Sequence, residues 1–306
     1  MADPSSTAIR SRLALESTFL LHGVPAGSAV TLAEDLAKLA VAHGAEPVLF
    51  GLRPQGEKDG KGGDCSRERS LSKADLAEML ASDGATPKLN TASLGAAIAR
   101  GTAGATTVST TMELAAAAGV RVFATGGLGG VHKHLDQRLD ISTDLLAFTR
   151  FPVAVVTAGC KSILDVINTR ELLETLGVPV IGFRCDRFPA FYRREAGSGG
   201  AGVDARFDEI EPLAKFVRRE LARTCRGVVI CNPIPVEHEL AEFHWAKWLE
   251  EAERQAVASG ATGRAVTPAV LGALHKISGG ATLAANIELV KHNVAVGAQL
   301  AAAIGV

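Results

Sequence analysis

Several apolar, β-branched runs of this chain end in residues that carry chemistry. After "RLAL" come Glu16, Ser17 and Thr18; after "RVFA" come Thr125, the glycines Gly126, Gly127, Gly129 and Gly130, and His132; after "AVVTAG" comes Lys161; after "GVVI" come Asn232 and Pro233. Ligands of parallel sheets bind beyond the carboxyl ends of the strands, so this placement marks a candidate site. Lys161 stands where a strand hands over to the helical run "SILDVINTRELLETLG". A cation there opposes the helix dipole, and burial would favour its neutral amine, a nucleophile toward the carbonyl carbon of an opened sugar. The alternative is an ordinary lysine at a helix start.

Three further stretches admit two readings each. "ATGGLGGVHKH" does not fit G-x-G-x-x-G from either Gly126 or Gly127, so it is either a tight loop or a place where backbone N–H groups approach an anion. "GATTVSTTMELAAAAG" (104–119) carries Thr106, Thr107, Ser109, Thr110 and Thr111 ahead of a helical run. These hydroxyls cap a helix or, with its N-terminus, bind phosphate or sugar hydroxyls. "LDISTD" (139–144) places Asp140 and Asp144 around Ser142. Asp144 is either a charge favoured at a helix start or, with Asp140, part of a site for a hard cation such as Mg²⁺ or Mn²⁺.

The elements that must position these residues follow from hydrophobic pattern. Short strand-like runs ("RLALEST", "EPVLFGL", "VRVFATGG", "PVAVVTAG", "VPVIGFR", "RGVVICNP") alternate with helical stretches at 28–43, 71–82, 161–176 and 208–223. That alternation predicts an α/β fold, a single α/β/α sandwich domain over residues 1–306 with a largely parallel sheet. After about residue 235 the strands stop, and three closing helices are expected at 236–260, 267–280 and 282–305. Ser72 and Asp75 form a capping pair for the helix near residue 72. The charged, glycine-rich segment 53–70 reads as a mobile insertion, and "GSGGAGVD" (197–204) as a loop.

Composition narrows the partners. Lys and Arg number 32 against 33 Asp and Glu, which leaves no basic surplus for a nucleic acid. No apolar stretch reaches the roughly 18 residues of a membrane span, and the first dozen residues lack the apolar core of a signal peptide. Cys65, Cys160, Cys185, Cys225 and Cys231 are odd in number and form no CxxC pair, so a reducing, cytoplasmic setting is expected.

Taken in order, "ALEST…HG" (14–23), "GATTVSTTM" (104–112), "VFATGGLGGVH" (122–132), "DISTDL" (140–145), "TAGCKSILD" (157–165), "LGVPVIGF" (176–183) and "NPIP" (232–235) resemble the pseudouridine-5′-phosphate glycosidases, the indigoidine-synthase-A-like family. The resemblance continues to "NIELVKHN" (286–293). It implies an α/β/α fold, a homotrimer, Mn²⁺ as cofactor, and reversible cleavage of pseudouridine 5′-phosphate to uracil and ribose 5-phosphate. By the same likeness Lys161 attacks C1′ of the sugar, Glu16 donates a proton, Asp140 binds the metal, and Lys88, Val108, Ser142, Thr143 and Asp144 contact substrate. The chain departs from the family at the 53–70 insertion, in "TPKLNTASL", which lacks an arginine pair, and at Cys160, whose thiol beside Lys161 would make activity sensitive to oxidation. A lysine-dependent aldolase or lyase acting on another sugar phosphate would share Lys161 and the phosphate loops without a uracil pocket. A non-enzymatic nucleotide-binding protein would not need the nucleophile.

Overall fold

The computed structural model describes residues 11–53, 70–82, 86–133, 139–197, 200–260 and 266–305. Its strands are β1 (Arg12–Glu16), β2 (Glu46–Leu52), β3 (Lys88–Leu89), β4 (Gly104–Thr106), β5 (Val122–Ala124), β6 (Ala154–Thr157), β7 (Val180–Phe183), β8 (Ala205–Phe207) and β9 (Val228–Cys231). They form one sheet in the order β3-β4-β2-β1-β5-β6-β9-β7-β8. Every strand pairing is parallel except that of β2 with β4. All residues of β6 and β9 are fully buried, because helices cover both faces and the strands carry continuous apolar runs.

The helices are α1 (Thr18–His22), α2 (Ala26–Ala42), α3 (Lys73–Ala81), α4 (Thr91–Ala99), α5 (Val108–Ala117), α6 (Thr143–Ala147), α7 (Val166–Thr175), α8 (Ile210–Thr224), α9 (Glu242–Ala258), α10 (Val266–Ile277) and α11 (Ala281–Ile304). α2 buries Ala29, Leu32, Leu36 and Ala40, a stripe at helical spacing, and packs with α11, which also packs with α8. α5 packs against α4 and α6. Right-handed crossovers to left and right of β1 place these two groups on opposite faces of the sheet.

The α/β/α sandwich and the three closing helices are as the sequence predicts. Ser72 and Asp75 form a reciprocal cap: the Asp75 N–H donates to Ser72 Oγ at 3.1 Å, and the Ser72 N–H to Asp75 Oδ2 at 2.8 Å. Residues 54–69 of the expected insertion lie outside the described residues. β3, β4, β8, α4 and α6 were not legible, since a two- to three-residue strand or a single helical turn has too few residues for a period, and the nine residues of α4 are nearly all small or apolar.

One topological fact locates the site. β1 has β2 on one side and β5 on the other, so the chain leaves it in opposite directions and opens a crevice at the carboxyl ends of β1 and β5. Glu16 ends β1, and Thr125 follows β5.

Candidate active site

Lys161 is not at a helix start. The helix expected from residue 161 begins at Val166 behind the N-cap Asp165, whose Oδ1 accepts the Asn168 N–H at 3.0 Å. The opposed helix dipole therefore does not arise. Between Thr157 and Asp165 the chain instead pairs with its neighbours. The Leu128 N–H donates to Gly159 O at 2.9 Å and the Lys161 N–H to Leu128 O at 3.1 Å, which continues the β5–β6 pairing beyond the strands. On the other side the Cys160 N–H donates to Pro189 O at 3.3 Å, and the Phe191 N–H to Ala158 O at 2.9 Å. Ser162 donates its hydroxyl to Ala190 O and accepts the Tyr192 N–H at 3.2 Å. Two loops thus clamp a half-buried lysine.

The clamp depends on Gly159. Its φ is +82°, and a Cβ there would lie 1.8 Å from Pro189 O. Phe191, across the clamp, is buried with φ +62°, an uncommon conformation for an aromatic residue held at a functional site.

Glu16 is half-buried at the rim of an apolar cavity of about 180 Å³ between β1, β2 and α2, whose wall includes Leu15, Leu36, Leu49, Leu76 and Val290. Lys161 does not line this cavity, which explains the Glu16 environment rather than the position of the amine. Burial raises the Glu16 pKa above the usual carboxylate value; the Lys161 charge opposes this most strongly, then a hydrogen bond donated by the Thr125 hydroxyl, while Asp144 raises it and Lys88 lowers it. Lys88, on β3, is pushed below the ordinary lysine value by its surroundings and then by Lys161, with Glu16 pulling the other way. Although much of its side chain is exposed, its amine shares the field of the crevice. The structure therefore brings Glu16, Lys88, Asp144 and Lys161 together from four segments far apart in sequence.

Asp144 lies in the first turn of α6, as one of its two expected readings has it, and also makes tertiary bonds. Its Oδ1 accepts the Ser109 N–H and its Oδ2 the Gly129 N–H, both at 2.9 Å, and it is 4% exposed. The carboxylate thus joins the N-terminus of α5 to the glycine loop, and both N–H groups that an anion would meet already have an anion. Gly129 is required by this approach, since a Cβ would lie 2.4 Å from Ser142 Oγ and 2.7 Å from Asp144 Oδ2. Ser142 caps α6, Thr143 shares a 3.1 Å hydrogen bond with Ser109, and Val108 is buried at the first position of α5. Thr106, Thr107 and Thr110 hydroxyls donate to the carbonyls of Phe50, Leu89 and Leu89, so for these three the structural reading holds.

Asp140 is half-buried, and its carbonyl accepts the His132 N–H at 3.0 Å. Among the described residues no group of three His, Cys, Asp or Glu side chains is arranged to hold a metal. With both Asp144 oxygens engaged, the loop offers one free carboxylate; it suits a cation that keeps most of its waters and does not suit a dedicated cage. Cys160 is fully buried, and burial pushes its thiol up to about 12. The expected oxidation sensitivity at this cysteine is therefore corrected: a buried, protonated thiol is a poor nucleophile and oxidant target.

Sequence reasoning assigned no role to α11, yet this helix reaches the strand ends. Asn293 Nδ2 donates to Thr125 O at 2.7 Å, and Asn232 Nδ2 donates to Asn293 Oδ1 at 2.9 Å. Asn286, one of the two asparagines seven apart in "NIELVKHN", faces Gly126. Two amides seven residues apart on the buried face of the helix were the available signal.

Comparison with known proteins agrees with the fold. Residues 6–303 match the family model described as indigoidine synthase A like protein. The pseudouridine-5′-phosphate glycosidase of Symbiobacterium thermophilum is 40% identical over 297 residues, covering 95% of this chain and 92% of the relative. That of Geobacillus kaustophilus is 41% identical over 290 residues, covering 94% and 92%. Among solved structures, an indigoidine synthase A-like protein from Thermotoga maritima superposes with a TM-score of 0.81 at 30% identity, covering 95% of this chain and 92% of its own. The prealnumycin C-glycosynthase AlnA, solved in complex with ribulose 5-phosphate, superposes with a TM-score of 0.83 at 33% identity, covering 97% and 92%.

Gly159→Ala is expected to lower the free energy of unfolding by about 3 kcal/mol, from the forced left-handed backbone and the collision with Pro189, and to remove nearly all activity of the site. Urea unfolding and a turnover assay measure the two effects; a variant of unchanged stability and activity would show that the clamp does not hold Lys161.

Proposed function

The chain belongs to the indigoidine synthase A like family, and from that premise we propose that it reversibly cleaves the C–C glycosidic bond of pseudouridine 5′-phosphate, giving uracil and ribose 5-phosphate. The observation that carries the reading is that the Lys161 charge acts on Glu16, a carboxyl whose pKa burial raises, at the neighbouring ends of β1 and β6 beside β5. A C–C bond to a base has no heteroatom leaving group to protonate, so the sugar carbon that gives up the bonding pair needs a partner that donates electrons to it. The neutral Lys161 amine adds to C1′ as the ribose ring opens; the C1′–base bond then breaks with its electron pair going to the base carbon, which takes a proton, and an imine remains on Lys161. Water hydrolyses the imine and releases ribose 5-phosphate. Glu16 supplies the proton, a role its apolar surroundings favour by keeping the carboxyl protonated to higher pH.

Lys88 is the cation best placed for the 5′-phosphate, with the Ser109 and Thr143 hydroxyls as further donors. Val108 and the 142–144 turn complete that wall. Asp144 acts there by holding the wall together. Mn²⁺ held by Asp140 and waters would neutralise charge on substrate oxygens. The functional unit in this reading is a homotrimer working in the cytoplasm.

Incubation with ribose 5-phosphate and borohydride should leave one sugar phosphate on Lys161 as a stable secondary amine, located by mass spectrometry of the digested protein. Lys161→Arg should lose at least about a thousandfold in turnover of pseudouridine 5′-phosphate, because guanidinium stays protonated and forms no imine. An adduct on Lys88, or substantial activity in Lys161→Arg, would reject the Schiff-base route. Chelation should abolish turnover, and Mn²⁺ should restore it better than Ca²⁺; full activity in protein shown by elemental analysis to be metal-free would remove Asp140 from its assigned role. Light scattering should return three times the 31.7 kDa chain mass, and a monomer of full activity would reject the trimer.

A further inference from the structure

We propose that Thr125, itself held by Asn293, is the positioning residue for Glu16: its hydroxyl fixes one carboxylate oxygen and turns the other toward the substrate. Thr125 is 2% exposed and sits one residue beyond β5, on the far side of the crevice from β1. Its backbone is fixed from two directions. The Thr125 N–H donates to Val156 O at 3.0 Å, and its carbonyl accepts Asn293 Nδ2 at 2.7 Å. Asn293 is fully buried and is fixed in turn by Asn232, whose own N–H donates to Thr157 O at 2.9 Å. Residues following β5 and β9, the end of β6 and the face of α11 thus converge on the backbone at Thr125. With that peptide immobile and a β-branched side chain limited in χ1, the hydroxyl has little freedom except to donate to Glu16 Oε1.

The arrangement matters because Glu16 stands at an apolar cavity, where an unanchored carboxyl would turn or stay neutral throughout the cycle. A hydroxyl donor stabilises the ionised form, so that the group can be reprotonated and used again in each turnover. The charged groups that face Glu16 are Lys161, Asp144 and Lys88, and none of them is altered by replacing Thr125. Valine has nearly the shape of threonine but no donor; serine keeps the donor and loses the methyl group.

The inference rests on Glu16 being the proton donor, and its test separates the two. The carbon resonance of the Glu16 carboxyl, assigned by its absence in Glu16→Gln, is titrated in the free protein without substrate. Thr125→Val should move the midpoint to higher pH, and Thr125→Ser should leave it near that of the unaltered protein. In turnover of pseudouridine 5′-phosphate, Thr125→Val should lower kcat about tenfold with KM within about twofold, and the limb of the pH profile that belongs to Glu16 should move in the same direction as the resonance. If Thr125→Val proves unstable, Thr125→Ala serves with the same expected direction. A folded variant without the hydroxyl whose Glu16 titrates at the original midpoint would overturn the proposal, as would a Thr125→Ser protein as impaired as Thr125→Val. A shifted midpoint in a protein whose unaltered form does not turn over pseudouridine 5′-phosphate would keep the Thr125–Glu16 link and reject the reaction.

Discussion

The peptide hydrogen bonds that hold residues 158–162 between the loops after β5 and β7 are the constraint on which the site depends. A lysine side chain has four rotatable bonds, and an amine on a free loop would reach any fixed partner only rarely. Here the backbone beneath it is paired on both sides, by Leu128 on one and by Pro189 and Phe191 on the other. Gly159 allows the sharp approach, and Phe191 accepts an unfavourable backbone conformation to complete it. Preorganisation of this kind replaces motion that would otherwise have to be frozen in the transition state.

Electrostatics then differentiates groups that share one crevice. Glu16 meets apolar walls on one side and cations on the other, so its carboxyl is raised yet remains able to ionise. Asp144 is buried too, but two backbone N–H groups satisfy its carboxylate and make it a strut between α5 and the glycine loop. The two carboxylates thus differ in environment because their hydrogen-bond partners differ. The same bonds occupy the backbone N–H groups of Ser109 and Gly129.

The alternation of β-branched runs with amphipathic segments made the α/β/α sandwich legible, and the parallel-sheet rule then picked out Glu16, Thr125, Lys161 and Asn232 as strand-end residues. The spacing of "LDISTD" marked Asp140, Ser142 and Asp144, and motif likeness added Lys88, Val108 and Thr143. What misled was local pattern carried too far: "SILDVINTRELLETLG" has helical spacing from its first residue, but its first four residues precede the helix, with Ser162 and Asp165 bonded to neighbouring loops, and the helix starts at Val166. Tertiary hydrogen bonds outweighed propensity there, as they do wherever several carbonyls and N–H groups of other segments are within reach.

The sequence by itself determined the layers, the strand ends and the residue types placed there, because hydrophobic period and chain direction are properties of contiguous residues. Only the tertiary structure decided that the Thr125 hydroxyl meets Glu16, that Asp144 meets Ser109 and Gly129, that Cys160 is sealed from solvent, and that α11 reaches the crevice with Asn293. Those pairings join residues up to 168 positions apart. No window of sequence contains both partners, and the energy that selects them, the satisfaction of buried polar groups, exists only once the chain has excluded water around them.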